Sequence, residues 1–318
     1  LNKTDIEWVK NPDGTQGYTW NPITGCLNHD NGLCKGGGFP CYAYKLAHGR
    51  LKQRYLANSN WVHWDPPENG YYDPFYPRFW ENRLREGVFE LGRKPKGIFV
   101  CDMGDLFGIG IPEDWTKKIL ACCKVYPQHR FYLLTKQPQN LPQFSPFPDN
   151  CWVGVTATNR DMFTWACDYL ADVKAKVKYI SFEPLLTPII LDAELDMGNI
   201  HRSIDWLIIG ACTGTYREIF QLHHRLNGDT PARQIMPFGN KCSYQPKIEW
   251  VREIVEAADK AGVKVFLKDN LEPLFKRGDI WAIPEWASFN DWTKQDIGTT
   301  LRQEMPEKVT AQFASFEK

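Results

Sequence analysis

From about residue 97 the chain repeats one pattern: a short apolar run, a polar loop, then a segment with helical spacing. The runs are Gly97–Val100, Phe131–Leu134, Cys151–Val155, Val177–Phe182, Trp206–Ile209 and Val263–Leu267. Each is rich in β-branched and aromatic residues and largely lacks polar alternation. That suits strands buried on both faces, as in a parallel sheet with helices outside. A seventh strand is predicted before Cys26, around Tyr18–Asn21. Helices are predicted at Pro112–Lys124, with Trp115, Ile119, Cys122 and Cys123 inward, and at Asn159–Val173, where Met162, Trp165, Ala166 and Leu170 read as core. A third spans Pro246–Gly262, with proline near its start and glycine just past its end. His223 and His224 fall in a polar helical stretch and read as surface. Strand–helix alternation of this kind predicts an α/β fold, a partial or complete (β/α) barrel with a parallel sheet.

The segment 58–80 breaks the pattern. Trp61, Trp64, Tyr71, Tyr72, Phe75, Tyr76, Phe79 and Trp80 lie among prolines with no clear period. It reads as an aromatic-rich N-terminal insertion, serving either as a lid or binding surface or as a cover for an open barrel edge. The remainder is expected to form one domain over residues 1–292, with a polar, peripheral tail at 293–318.

Charge and composition narrow the class. Lys+Arg equals Asp+Glu, at 38 each, so no global positive field argues for nucleic-acid binding, although a local basic face stays open. No run of eighteen apolar residues predicts a membrane span. Leu1–Lys10 carries acidic and polar residues where a signal peptide needs an apolar core, so a cytoplasmic protein is expected. In that compartment the ten cysteines stay mostly reduced. Three close ones then read first as metal ligands.

Those three are Cys26, Cys34 and Cys41, in a loop spanning 22–44. The residues between them include Asn28, Asn31, Gly32, Gly36, Gly37, Gly38 and Pro40, which let a backbone wrap a small object. Thiolates bind iron–sulfur clusters and soft metals. Zinc competes, with His29 or His48 as a fourth ligand. The loop follows the first predicted strand, and in β/α barrels chemistry lies on loops after the strands' C-terminal ends. Asp102 and Asp105 follow the run at 97–100, Glu183 ends the run at 177–182, and the turn Gly210–Gly214 follows that at 206–209. Lys136, and Lys268 with Asp269, also end runs, as docking groups for a substrate carboxylate or phosphate or as solvated lysines.

In order along the chain stand TWNPITGC and CYAY (Thr19–Cys26, Cys41–Tyr44), PRFW and IFVCDMGDLFG (Pro77–Trp80, Ile98–Gly108), LLTKQP (Leu133–Pro138) and VGVTATN (Val153–Asn159). SFEPLL (Ser181–Leu186), DWLIIG (Asp205–Gly210) and FLKDNL (Phe266–Leu271) follow. Together they resemble the phage-associated three-cysteine-motif family, regarded as radical-SAM-like. The resemblance implies a barrel of radical-SAM type holding a [4Fe-4S] cluster on Cys26, Cys34 and Cys41. The reduced cluster would cleave S-adenosyl-L-methionine so that hydrogen is abstracted from a substrate, with a nucleic acid as one candidate. It also implies an external electron donor of flavodoxin or ferredoxin type. Asp102, Gly104 and Asp105 would hold the cofactor's amino group, Thr156 and Asn159 its ribose hydroxyls, Glu183 with the Gly210–Gly214 backbone its ribose or adenine, and Tyr42 would stack near the adenine. Two departures stand out. Asn28–Gly38 carries an insertion that widens the cysteine spacing, and GACTG replaces the family's GGESG, placing Cys212 at the glutamate position. Cys212 then reads as a redox or hydrogen-atom donor in catalysis, or as a small packed side chain. The bland alternative to the whole reading is a non-catalytic zinc or iron–sulfur protein that binds nucleic acid.

Overall fold

In the computed structural model, residues 1–60, 72–84, 91–189, 204–277, 280–281, 284–287 and 301–306 are described. Trp61, Trp64 and Tyr71 of the aromatic insertion, and most of the 293–318 tail, lie outside them. The fold is α/β, with a mostly parallel eight-stranded central sheet. Its strands are β1 (Asn2–Lys3), β2 (Tyr18–Trp20), β3 (Gly97–Val100), β4 (Arg130–Thr135), β5 (Cys151–Thr156), β6 (Val177–Phe182), β7 (Trp206–Ile209) and β8 (Lys264–Leu267). They stand side by side in chain order; β1 is antiparallel to β2 and every other pair is parallel. Among the described residues, the outer strands β1 and β8 do not pair with each other.

The helices longer than one turn are α1 (Tyr42–His48), α2 (Lys52–Leu56), α3 (Glu113–Val125), α4 (Arg160–Ala171), α5 (Tyr216–Asn227) and α6 (Ile248–Ala261). None of the described helices is long and apolar enough to cross a membrane. α3, α4 and α6 cover one face of the sheet with Ile119 and Cys123, Phe163 and Leu170, and Val251 and Val255. Their ends match local chemistry: Asn159 caps α4 by accepting from the Met162 N–H at 2.9 Å, and Gly262 ends α6 at φ +71°. Trp165 corrects the sequence reading, since it is 60% exposed. The buried face of α4 is Phe163, Ala166, Cys167 and Leu170, with Met162 packed at its margin, so of the expected set only Trp165 faces outward. His223 is corrected too. It is buried, with Nε2 2.9 Å from the Thr230 carbonyl, whereas His224 is exposed.

Side chains alternate across a strand, and here the second face is aromatic. Phe99, Tyr132, Trp152, Tyr179, Trp206 and Phe266 all point to it, and Trp8 from the N-terminal segment inserts among them. Ring centroids lie 5.1 Å from Trp8 to Phe99, 5.6 Å to Tyr132 and 6.1 Å to Trp206. Gly154 makes room, because a Cβ there would sit 2.3 Å from the Tyr179 ring. Trp8→Ala should cost about 3–5 kcal/mol of stability, the usual range for a large buried aromatic. Urea unfolding of Trp8→Ala against Trp8→Phe, which keeps most of the ring packing, checks it.

At the far end of β4, the buried His129 is held as a neutral ring. The Lys96 N–H donates to its Nδ1 at 3.1 Å, and its Nε2 lies 3.1 Å from the Gly92 carbonyl. Burial, then the nearby Lys96 ammonium, pushes its pKa down to about 4. The unfolded chain therefore takes up this proton first as pH falls. Stability should decline between about pH 6.5 and 4, by at most about 1.4 kcal/mol per pH unit. His129→Gln should flatten that part of the urea-midpoint profile.

Candidate functional site on the C-terminal edge of the sheet

Because seven strands run parallel, their C-terminal ends share one edge, and the loops after them meet there. The aromatic layer stops short of it. On the same sheet face as the rings, the last positions are polar: Thr19, Thr156 and Ser181, followed by Glu183 and Lys268. Glu183 is the hub. One carboxylate oxygen accepts from Trp8 Nε1 at 2.8 Å and Ser181 Oγ at 3.0 Å, and the other lies 2.5 Å from the Lys268 ammonium. Burial opposes the charge on Lys268, yet Glu183 and Glu7 outweigh it and hold its pKa above the usual range. The ammonium expected to dock a substrate anion is thus spent inside the protein. Asp269 likewise accepts from Gln303 Nε2 at 2.9 Å, while its N–H donates to Glu7. The hydroxyl of Thr156 differs: it is buried and has no hydrogen-bond partner among the described residues. An orphaned buried hydroxyl in this layer fits a ligand that supplies its partner.

Above this floor lies the three-cysteine loop, and glycines set its path. Gly25 (φ +89°) donates its N–H to the Met103 carbonyl at 2.9 Å, and the Cys26 N–H bonds to the Phe75 carbonyl at 3.0 Å. Asn31 and Gly32, both at positive φ, turn the hairpin from His29–Asp30 to Leu33–Cys34. Cys41 then serves as the N-cap of α1, its N–H bonded to the Gly32 carbonyl at 2.9 Å. The loop is seated on the sheet edge at Gly36 and Gly37. Thr158 Oγ1 donates to the Gly36 carbonyl at 2.8 Å, and a Cβ at Gly37, where φ is +130°, would lie 2.5 Å from that hydroxyl oxygen. Arg225 of α5 holds the next carbonyl, that of Gly38, at 2.8 Å.

Lys136, at the end of β4, rises into this loop. A Cβ at Gly36 would sit 3.5 Å from Lys136 Cδ and 3.6 Å from Cys34 Sγ, so the lysine stem and that thiol flank the same glycine. Burial disfavours the ammonium, but Cys34, Asp105, Cys41 and Cys26 together raise its pKa. Burial also pushes the Cys26 thiol up to about 12 and raises Cys34, so a metal taken up here displaces protons. Among the described residues, no three His, Cys, Asp or Glu side chains close on one point as ligands of a single ion do. Neither histidine offered as a fourth zinc ligand joins the thiols. His29 Nδ1 faces the Gly32 N–H, and His48 stacks on Tyr44 with Nε2 3.4 Å from Asp73.

The remaining candidates are placed as follows. Asp105 is buried and accepts from the Phe107 N–H, Thr135 Oγ1 and the Lys136 N–H at 3.0, 3.0 and 3.3 Å, bracing two strand-end loops. Asp102 accepts from Asn21 Nδ2 at 2.6 Å, and its carbonyl accepts from the hydroxyl of the half-exposed Tyr42. Gly104 forms a parallel bridge with Gly25, fixing the loop after β3 against the first cysteine. Asn159 is engaged as the cap of α4. At Gly210 a Cβ would meet Lys268 and Glu183 at 2.9 and 3.3 Å, and at Gly214 it would meet Glu218 at 3.1 Å. Cys212, expected among the catalytic groups, is packed with Leu186, Ile219, Leu222 and Tyr244 and is 5% exposed. Burial pushes its thiol up to about 12, so it is protonated at neutral pH and shielded by apolar neighbours.

Sequence reasoning missed Trp8, Asn21, Thr158 and Asn270. Asn270 clamps the turn after β7 through both the N–H and the carbonyl of Ala211, each at 2.9 Å. Asn21, Thr158 and Asn270 each had a local signal, standing in the TWNPITGC, VGVTATN and FLKDNL segments already singled out, whereas Trp8 had none.

Fold and site together define an α/β protein with a glycine-seated three-cysteine loop on the C-terminal edge of a parallel sheet. The chain belongs to the family described as a protein of unknown function (DUF5131), which matches residues 3–226. No curated protein matched it. Among solved structures it is similar to spore photoproduct lyase complexed with dinucleoside spore photoproduct, at 11% identity and a TM-score of 0.46, covering 77% of this chain and 75% of that one. It is also similar to a mutant of that lyase with bound AdoMet and dinucleoside spore photoproduct, at 11% identity and a TM-score of 0.44, covering 78% and 75%.

Gly37→Ala should unseat the loop. It forces a side chain into a left-handed position against Thr158 and should cost about 1–3 kcal/mol. Limited proteolysis should then cut within residues 28–40 at least tenfold faster than in the parent protein.

Proposed function

We propose that Cys26, Cys34 and Cys41 hold a [4Fe-4S] cluster and that the chain is a radical-SAM-type enzyme on a partial β/α barrel. One observation carries the reading: a single glycine-seated loop brings three thiols to the C-terminal edge of a parallel sheet, around one lysine. The donor set suits a cluster better than one zinc ion. Zinc at about 2.3 Å from each sulfur draws its thiolates to within roughly 4 Å of one another. A closed zinc site also takes four protein donors, and neither His29 nor His48 stands with the thiols, whereas a cluster takes each thiolate on a different iron. A cluster held by Cys26, Cys34 and Cys41 would supply the electron for reductive cleavage of S-adenosylmethionine.

The chain's own residues then have distinct tasks. Lys136 offsets the negative charge gathered on the three sulfurs, and Asp105 anchors its backbone. Thr156, Ser181 and Glu183 present hydroxyl and carboxylate groups to the cofactor's ribose. The aromatic layer around Trp8 keeps water from entering beneath the site. In this reading the electron would come from an external donor of flavodoxin or ferredoxin type.

The test is anaerobic reconstitution with iron and sulfide, then addition of S-adenosylmethionine and dithionite. 5′-Deoxyadenosine should form, and Cys26→Ser, Cys34→Ser or Cys41→Ser should abolish it. A loaded protein that yields none with any reductant contradicts the reading. Lys136→Met should retain at most half the iron and sulfide of the parent after desalting, and Lys136→Arg should retain nearly all.

A further inference from the structure

The unit that wraps the three thiols is charged unlike the rest of the chain. Between Asn28 and Ala57 lie five basic residues, Lys35, Lys45, Arg50, Lys52 and Arg54, against a single acidic one, Asp30, in a protein of net charge zero. These residues form one contiguous body. The hairpin packs on α1 through Gly32 and Tyr44, and α2 continues from α1 through the Leu51 N–H bonded to the Leu46 carbonyl at 3.0 Å. All five basic side chains are exposed. Lys45 is answered by Glu218 at 2.8 Å, but Lys35, Arg50, Lys52 and Arg54 have no ion-pair partner among the described residues. Several charges elsewhere are paired within the fold, as with Lys117 and Glu113 or Arg302 and Asp259. Four unanswered cations on a neutral chain make a field that suits a polyanion.

Two exposed rings belong to or adjoin the same unit. Tyr42, next to Cys41, is 52% exposed. Tyr72 is 79% exposed and adjoins Asp73, which pairs with His48 of α1. Unstacked bases bind such faces, and phosphates bind the cations between them. An acidic protein would use the cations and leave the rings idle, and a duplex would hide its base faces.

We propose that this surface binds a single strand of nucleic acid and delivers it to the three-cysteine site as substrate. Delivery rests on the enzymatic reading above; binding of the strand does not.

The experiment is fluorescence anisotropy with labelled 20-nucleotide single-stranded DNA and RNA between 50 and 200 mM salt, using the full chain. Iron and sulfide are assayed on the same samples. The parent should bind with affinity falling steeply with salt. The variant K35Q/R50Q/K52Q/R54Q should lower the slope of log affinity against log salt by about 3, as expected for four lost phosphate contacts on a single strand. The charge-retaining K35R/R50K/K52R/R54K should bind as the parent does, which separates charge loss from misfolding. Tyr72→Ala should weaken binding roughly tenfold without changing the slope. DNA and RNA arms show which sugar is preferred. Equal or tighter binding of polyglutamate or of anionic vesicles would overturn the proposal, as would a quadruple glutamine variant with unchanged slope. Strand binding in a protein that loads no iron or sulfide would sustain the surface and remove the enzymatic reading. A loaded protein that binds no strand would do the reverse.

Discussion

The insertion of Trp8 into the aromatic face of the sheet is the contact on which the C-terminal edge depends. Without it, the rings of Phe99, Tyr132, Tyr179 and Trp206 would face an open trough. With it, the lower part of that face is filled and dry, and only the polar positions at the strand ends remain to meet a ligand. The same side chain reaches the chemistry directly, because its indole N–H holds Glu183, which in turn holds Lys268. One residue thus joins packing below to charge placement above. A buried carboxylate without such partners would be costly.

A second constraint is the close approach of the cysteine loop to the sheet. Gly37 is a glycine because its φ is +130° and Thr158 occupies the space a side chain would need, while Gly36 lies close against Met162 and Lys136. The contact places Cys34 beside Lys136 and explains why the loop can be long without being loose. Its insertion between Asn28 and Gly38 is taken up by a hairpin whose turn residues lie at positive φ. The Lys136 stem and the Cys34 thiol then flank the same glycine of the loop that carries all three cysteines.

Much of the framework was legible because parallel strands buried on both faces leave continuous apolar runs. Every run from 97 onward became a strand of the central sheet with ends shifted by a residue or so. The rotation of α4 was only partly legible: Met162, Ala166 and Leu170 do pack on the core, but Trp165 fits a 3.6 period as well as Phe163 and Cys167 do. Only the helix's docking on the sheet decides between them. His223 was misjudged for a related reason, since its polar neighbours hid a contact made seven residues on, at Thr230. Trp8 left no local sign, because its partner Glu183 is 175 residues away. Among the candidate site residues, those fixed by strand ends fell where expected, at one edge. Their hydrogen-bond duties were invisible: Asn159 caps a helix, Asp105 braces loops, and Cys212 lies under apolar cover.

The central claim is the nature of what the three cysteines hold. Iron, zinc and acid-labile sulfide should be measured on protein purified without oxygen, for the parent and for Cys34→Ser. The parent should carry about four irons with a matching amount of sulfide per chain, and the variant should lose most of both. One zinc per chain, with no sulfide, would contradict it.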